Sequence, residues 1–427
     1  MDKELEIVVG FIKNIFTDKE LIKKIFLIAT VIIVLLSLNI IIAKKLMGGE
    51  DFFVHWKGSE LLLKNKISPF SENANTIIQN KARTTIFISG KNNLIFISPI
   101  FSCLFYAPFT LIKNFEIARA IWMTILELSL STIVILILKI LEWTPSKKVL
   151  IIIIGSSLLN VFSVINIMSG DLIILVLLFT VTSYWLFIKN KLEIAGITLA
   201  FSMVMPFTML LPTIFFFVLA GIQKKWELLS WYFITLGLLF LSSLLLLPKW
   251  PLEYIKVVLL NKDAILMLNP INVLKIWFAD INQNLAYILI GLPLLILIVE
   301  WKRISEQKNK GLIFWAFCLT LLLGQLIWIR TDARNLILFL PAILCISCAW
   351  MRRNIASGQF VAFVTLFIFV AQFFIILSKN EQLLIFQNQA DYFITYFNGI
   401  YLLINMYWIR GWIVENTPTF YKNKVIH

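Results

Sequence analysis

Apolar runs long enough to cross a bilayer return about a dozen times along this chain, the first at 25–43 and the last at 394–410. A helix needs about 20 such residues to traverse the ~30 Å hydrocarbon core. Only a helix or a closed barrel satisfies every backbone hydrogen bond there. The chain therefore reads as an all-α polytopic membrane protein. Composition agrees: 60% of its 427 residues are hydrophobic and 15% are charged, against roughly 25% charged in a soluble domain.

The expected spans are 25–43, 119–138, 149–166, 171–188, 192–205, 207–222, 228–247, 284–300, 312–329, 335–350, 359–377 and 394–410. Segment 94–112 is apolar as well, but Pro99 and Pro108 interrupt it, so it is expected to lie along the outer surface. Segment 192–222 is too long for one ordinary span and reads as a tight pair around Met205-Pro206. Residues 1–24 read as a cytoplasmic amphipathic segment, with Leu5, Val8, Val9, Ile12, Ile15 and Phe16 at helical spacing. Residues 25–247 form a transmembrane core that includes an outer loop, 44–118. A second outer loop covers 248–283, and 284–427 holds the C-terminal helices. The run 25–43 lacks a small-residue cleavage site and reads as an anchor.

Short connections orient the chain. Lys189 and Lys191, Lys224 and Lys225, and Arg352 and Arg353 all fall on one side, which the positive-inside bias makes cytoplasmic. Both termini are then cytoplasmic in a multi-pass protein of the cell membrane. Loops 44–118 and 248–283, the turn before Asp171 and the segment 330–334 are extracytoplasmic. The net charge of +14 has no soluble basic domain to carry it. That argues against nucleic acid and for membrane lipid headgroups and lipid-linked phosphates. Cys345-x-x-Cys348 lies inside an apolar run and reads as helix packing rather than a redox or metal pair.

Chemistry-bearing residues gather at the outer ends of the runs. Glu50 and Asp51 follow Gly48-Gly49 just past the first run, where a carboxylate is costly unless it has a task or a partner. Either of the two can serve as a base, since neighbours point apart. His55 lies four residues after Asp51, on the same helical face, placed to bind a sugar or to steady the carboxylate. Arg330, Asp332 and Arg334 stand between two runs. Arginine's planar fork suits phosphate oxygens, so Arg334 and Arg330 are candidate phosphate ligands with Asp332 orienting one of them. Asp171 opens a span, where the helix dipole favours an acid, and also suits a contact to an acceptor hydroxyl. Arg83 is a candidate acceptor or phosphate contact. Glu127, inside the second run, is either a functional carboxyl or a protonated group hydrogen-bonded between helices. The second histidine is His427, so a histidine-rich metal site is excluded; Glu50, Asp51 and Asp171 make up a conceivable oxygen set for Mg²⁺ or Mn²⁺.

Asp51-Phe52, then Trp56 through Leu61-Leu62-Leu63, then Ile67-Ser68-Pro69-Phe70 resemble the D-F-x-x-Y-x-x-A-x-x-x-L-x-x-G-x-x-P-Y pattern of the polyprenol-phosphate-mannose-dependent mannosyltransferases, glycosyltransferase family 87. Phe96-Ile97-Ser98-Pro99-Ile100-Phe101 resembles that family's F-x-Y-P-P-x-F. Ala107-Pro108-Phe109, Ile121-Trp122 and Ser169-Gly170-Asp171-Leu172-Ile173 are similar too. The family's usual tyrosine is His55 or Trp56 here, and its Lys-Pro before the sixth span is Met205-Pro206. The resemblance covers most of the first 250 residues. It implies a GT-C-like bundle of about 12 helices with an extracytoplasmic loop domain containing interfacial helices. It also implies transfer of a hexose, mannose in that family, from a polyprenyl-phosphate donor to a lipid-linked or glycan acceptor. Asp51 matches the position of the catalytic base, and no cofactor is required. The residues alone also admit a transporter or flippase of lipid-linked sugars, which would share the spans and the arginines but often carries inverted repeats. No such repeat is visible. A non-catalytic scaffold for envelope assembly is a third reading.

Overall fold

The structure is a computed structural model, which describes residues 19–85, 94–261, 283–305, 309–327, 333–353, 356–377 and 384–414. The expected amphipathic segment 1–24 and second outer loop 248–283 therefore lie partly outside the described residues, as do Arg330 and Asp332 wholly. Among the described residues the regular secondary structure is helix, with no strand. In chain order the helices are α1 (Lys19–Lys45), α2 (Glu50–Asn65), α3 (Glu72–Thr85), α4 (Cys103–Tyr106), α5 (Phe115–Ile140), α6 (Lys147–Leu159), α7 (Val161–Ser169), α8 (Ile173–Ile188) and α9 (Leu192–Ser202). They continue with α10 (Pro206–Ile222), α11 (Trp226–Leu246), α12 (Trp250–Leu260), α13 (Gln283–Ser305), α14 (Lys310–Ile327), α15 (Leu340–Arg352), α16 (Ala356–Leu377) and α17 (Leu384–Val414). Single 3₁₀ turns flank α4, and another, Ala333–Phe339, leads into α15.

Five stretches among the described residues are long and apolar enough to cross a membrane: Ile22–Lys45, Phe115–Ile140, Trp226–Leu246, Lys310–Ile327 and Arg334–Arg352. The chain is thus an α-helical, multi-pass membrane protein. A sixth crossing arises if α6 and α7, bent by 55° at Asn160, count as one. Other expected spans appear as shorter apolar helices, among them Ile173–Ile188, Leu192–Ser202 and Pro206–Ile222. Two local breaks explain the shortening. Asn160 leaves helical geometry (φ −55°, ψ 135°) and its Oδ1 accepts from Phe162 N at 2.9 Å, which caps α7 while ending α6. Pro206 opens α10, because a proline at the first helical position loses no hydrogen bond and holds its predecessor out of the helix. The 11 residues of α9 extend roughly 16 Å.

Burial orders the bundle. The Lys310–Ile327 helix is 83% buried and forms its centre, whereas Ile22–Lys45 is 6% buried and lies on the flank against α5. Between its charged ends α1 exposes mainly isoleucine, leucine, valine and phenylalanine side chains, a surface that suits lipid. Across the α1–α5 interface, Asn39 Nδ2 donates to Glu127 Oε2 at 2.9 Å and to Thr124 Oγ1 at 3.0 Å. Glu127 is thus hydrogen-bonded between helices. Cys318, Cys345 and Cys348 are buried free thiols in the centre.

The loops sort to two ends. At one end Gly49 N donates to Met168 O at 2.8 Å, Ser68 Oγ donates to Glu253, and Asn166 Nδ2 donates to Arg334 O at 2.8 Å. The first polar loop, the α7–α8 turn, the start of α12 and the turn before α15 thus share one face. At the other end Arg352 donates to Leu141 O, and Lys225 Nζ donates to Phe187 O at 3.3 Å. The basic short connections lie at this second end, away from Asp51.

Candidate functional site

The site is built where the first apolar helix stops. After α1 the chain reverses through Gly48 and Gly49. Gly49 holds φ 86°, and a β-carbon there would lie 2.8 Å from Arg119 Cδ and 3.0 Å from the Phe115 ring. Only glycine meets both demands. The turn launches α2, with Glu50 and Asp51 in its first turn, where acids are favoured by the helix dipole.

Arg119, four residues into α5, holds this turn from below and is 2% exposed. Its guanidinium donates to Leu46 O at 2.9 Å, Met168 O at 3.1 Å and Met47 O at 3.4 Å. These carbonyls belong to the C-terminal ends of α1 and α7, where unpaired acceptors and negative dipole ends collect. One cation thus ties two helix ends together and sets the height at which α2 begins. The charge of Glu50 acts on Arg119 and favours its charged form.

Asp51 pairs with Arg334, whose Nη1 donates to Asp51 Oδ2. The same Nη1 lies 3.9 Å from Asp171 Oδ2. Asp171 is itself held in place: its Oδ1 accepts from the N–H of Ile173, the first residue of α8, at 3.0 Å. Arg334 is fixed through its backbone by Asn166. One guanidinium therefore stands between two carboxylates, and all three groups keep partial access, with side chains 32%, 24% and 12% exposed for Arg334, Asp51 and Asp171.

His55 sits one turn along α2. Its Nδ1 lies 2.8 Å from Asp51 O and its Nε2 lies 2.9 Å from Ser98 Oγ. A carbonyl only accepts, so Nδ1 carries the hydrogen and Nε2 accepts from the Ser98 hydroxyl. The ring stacks on Tyr106 at 4.9 Å and 17° and lies 5.1 Å from Phe96. Burial pushes its pKa below the usual 6.5, against the opposing pull of the Asp51 carbonyl and carboxylate. His55 is therefore neutral at neutral pH and steadies the backbone of Asp51 rather than its carboxylate. Tyr106 is fully buried, and its hydroxyl meets no hydrogen-bond partner among the described residues. Burial and the fields of Asp171 and Asp51 push its pKa well up, so it remains a donor.

Aromatic rings form the wall behind. Phe52 packs against Tyr106, Phe109, Phe115 and Trp122 at 5.7–6.0 Å. Trp122 Nε1 donates to Gly170 O at 2.9 Å, and Trp56 Nε1 donates to Phe109 O at 2.7 Å. The wall fixes α2 against α5 and the α7–α8 turn.

The structure thus brings together Asp51, Asp171, Arg334 and His55. Among the described residues no group of three or more His, Cys, Asp or Glu side chains could hold a metal ion. Glu50, Asp51 and Asp171 do not form such a group. Arg83 is exposed on α3, outside the cluster. Arg330 and Asp332 fall outside the described residues. Sequence reasoning passed over Arg119, Ser98, Tyr106 and Asn166. Arg119 carried a signal, a lone cation near the start of an apolar run, and Asn166 was a lone amide in another. Compared with protein-family models, with curated proteins and with solved structures, the chain matches none.

Proposed function

We propose that the protein is an integral-membrane glycosyltransferase with about twelve spans, whose Asp51 end faces the extracytoplasmic side. It moves a hexose, mannose by the family resemblance, from a polyprenyl-phosphate donor to a lipid-linked or glycan acceptor. The observation that carries this reading is the Asp51–Arg334 pair flanked by Asp171. It joins a carboxylate able to take a proton with a guanidinium able to grip a phosphate, both at the rim of an apolar bundle.

In the resting protein the two groups satisfy one another. A donor phosphate, with more charge and more acceptor oxygens than a carboxylate, draws Arg334 to itself and leaves Asp51 free. The acceptor hydroxyl attacks C1 of the sugar as Asp51 removes its proton. The C1–O bond to phosphate breaks, and the polyprenyl phosphate departs against Arg334. Asp171 supplies an acceptor for sugar or acceptor hydroxyls. The chemistry uses side chains alone and calls on no cofactor.

A transporter or flippase of lipid-linked sugars is the second reading. It is favoured by the 55° break at Asn160, since interrupted helices often form transport sites. A transfer assay separates the two. Purified protein is mixed with a panel of radiolabelled polyprenyl-phosphate sugars and a membrane glycolipid extract. Covalent transfer of label from one donor supports the transferase. Movement of label across vesicles without transfer supports the transporter.

A further inference from the structure

Helix α2 has a second charged face. Asp51 and His55 recur at i and i+4, while Lys57, Glu60 and Lys64 recur at i, i+3 and i+7. At about 100° per residue these two sets point to opposite sides of the helix. The Lys57 side opens into a separate cavity of about 470 Å³. Lys57, Lys64, Lys81 and Lys113 line it, with Glu60 and Glu116. Four ammonium groups therefore face two carboxylates.

The arrangement is costly as it stands. Lys57 is 7% exposed and pairs with Glu60. Lys64 spans Glu60 at 3.9 Å and Thr110 O. Lys81 lines the same cavity as Lys57, and its neighbour Lys57 pushes the Lys81 pKa down, opposed by the charge of Glu60. Four ammonium groups against two carboxylates leave donors in excess of acceptors. An anion bridging the lysines offsets the repulsion and adds acceptors. The rest of the lining divides in two. Thr85, Thr110 and Asn114 offer neutral hydrogen bonds, while Phe53, Trp56, Ile112 and Phe115 form an apolar wall. A free inorganic anion would use the lysines but not the wall.

We infer that this cavity is a second phosphate site, distinct from Asp51 and Arg334, that takes the phosphate ester headgroup of an amphiphile with its apolar chain against Trp56, Ile112 and Phe115. The chemistry is shared by two sources, a bilayer phospholipid and a prenyl-linked phosphate. The inference does not require that the protein transfers sugar.

The test is calorimetric titration of the full chain in detergent with three probes: farnesyl phosphate, short-chain phosphatidylglycerol and inorganic phosphate. The titrations are run in the wild-type protein and in the Arg334→Ala background, which removes the other candidate phosphate ligand. Lys81→Gln with Lys113→Gln is then added, both exposed positions whose loss spares the core. Saturable binding of farnesyl phosphate or phosphatidylglycerol that weakens about tenfold or more on losing two charge-assisted contacts supports the site, and the responding probe names its source. Equal affinity with and without the two lysines overturns it. So does a response to inorganic phosphate alone, or no amphiphile binding at all. Binding that is lost on Arg334→Ala alone but untouched by the lysine changes assigns the phosphate to the Asp51 side and overturns it as well.

Discussion

Asp51 and Arg334 are 283 positions apart in the chain and form an ion pair at one end of the helix bundle. The pair depends on two anchors that lie outside it. Arg119 fixes where α2 starts, and Asn166 fixes the backbone of Arg334. Under the proposed function these anchors keep the two backbones in place when a ligand takes one partner of the pair.

Arg334 tests the phosphate assignment. Arg334→Ala is expected to raise the donor KM about 10- to 100-fold, the effect of losing one charge-assisted contact of roughly 1.5–3 kcal/mol. Arg334→Lys should recover only part of this, since an ammonium lacks the planar fork. Steady-state kinetics with varied donor measure both. Equal KM in all three proteins removes Arg334 from donor binding.

His55 makes stability depend on pH. Its folded pKa lies below the unfolded value of about 6.5, so the unfolded chain binds the extra proton first as pH falls. The contribution is complete above pH ~6.5 and is lost as pH falls below that value toward the folded pKa. The wild type should therefore lose more thermal stability between pH 7.5 and 5.5 than His55→Asn. Parallel melting curves of the two proteins in detergent decide it, and identical losses would mean His55 is not buried as described.

Arg119 is a structural prediction. Arg119→Met should destabilise the protein by about 2–4 kcal/mol, because several carbonyls at two helix ends lose a charged donor. It should also lower activity by releasing the start of α2. Thermal unfolding monitored by tryptophan fluorescence provides the check, and an unchanged midpoint contradicts the anchoring role.

Much of this was legible in the chain for a definite reason. A carboxylate or guanidinium at the edge of an apolar run is conspicuous, since the membrane tolerates few of them, and Asp51, Asp171 and Arg334 all stood out in that way. Helical spacing likewise placed His55 on the face of Asp51. What spacing does not encode is which atom a side chain meets. His55 reaches the carbonyl of Asp51, and Ser98 arrives from a distant loop. The break at Met205-Pro206 was legible because proline cannot continue a helix, but the one at Asn160 was hidden, because Asn160 ends a helix by capping the next one, and an asparagine inside an apolar run resembles any other polar interruption. Arg119 was read as the first residue of a span, although its partners are backbone atoms that no side-chain pattern reveals.

The central claim is that Asp51 takes the proton of the attacking hydroxyl, and Asp51→Asn measures it most directly. Asparagine keeps the size and a hydrogen-bonding oxygen but cannot serve as a base. With a radiolabelled polyprenyl-phosphate sugar, transfer should fall about 10²- to 10⁴-fold while donor binding persists. Transfer at the wild-type rate by the folded Asp51→Asn protein would contradict the account.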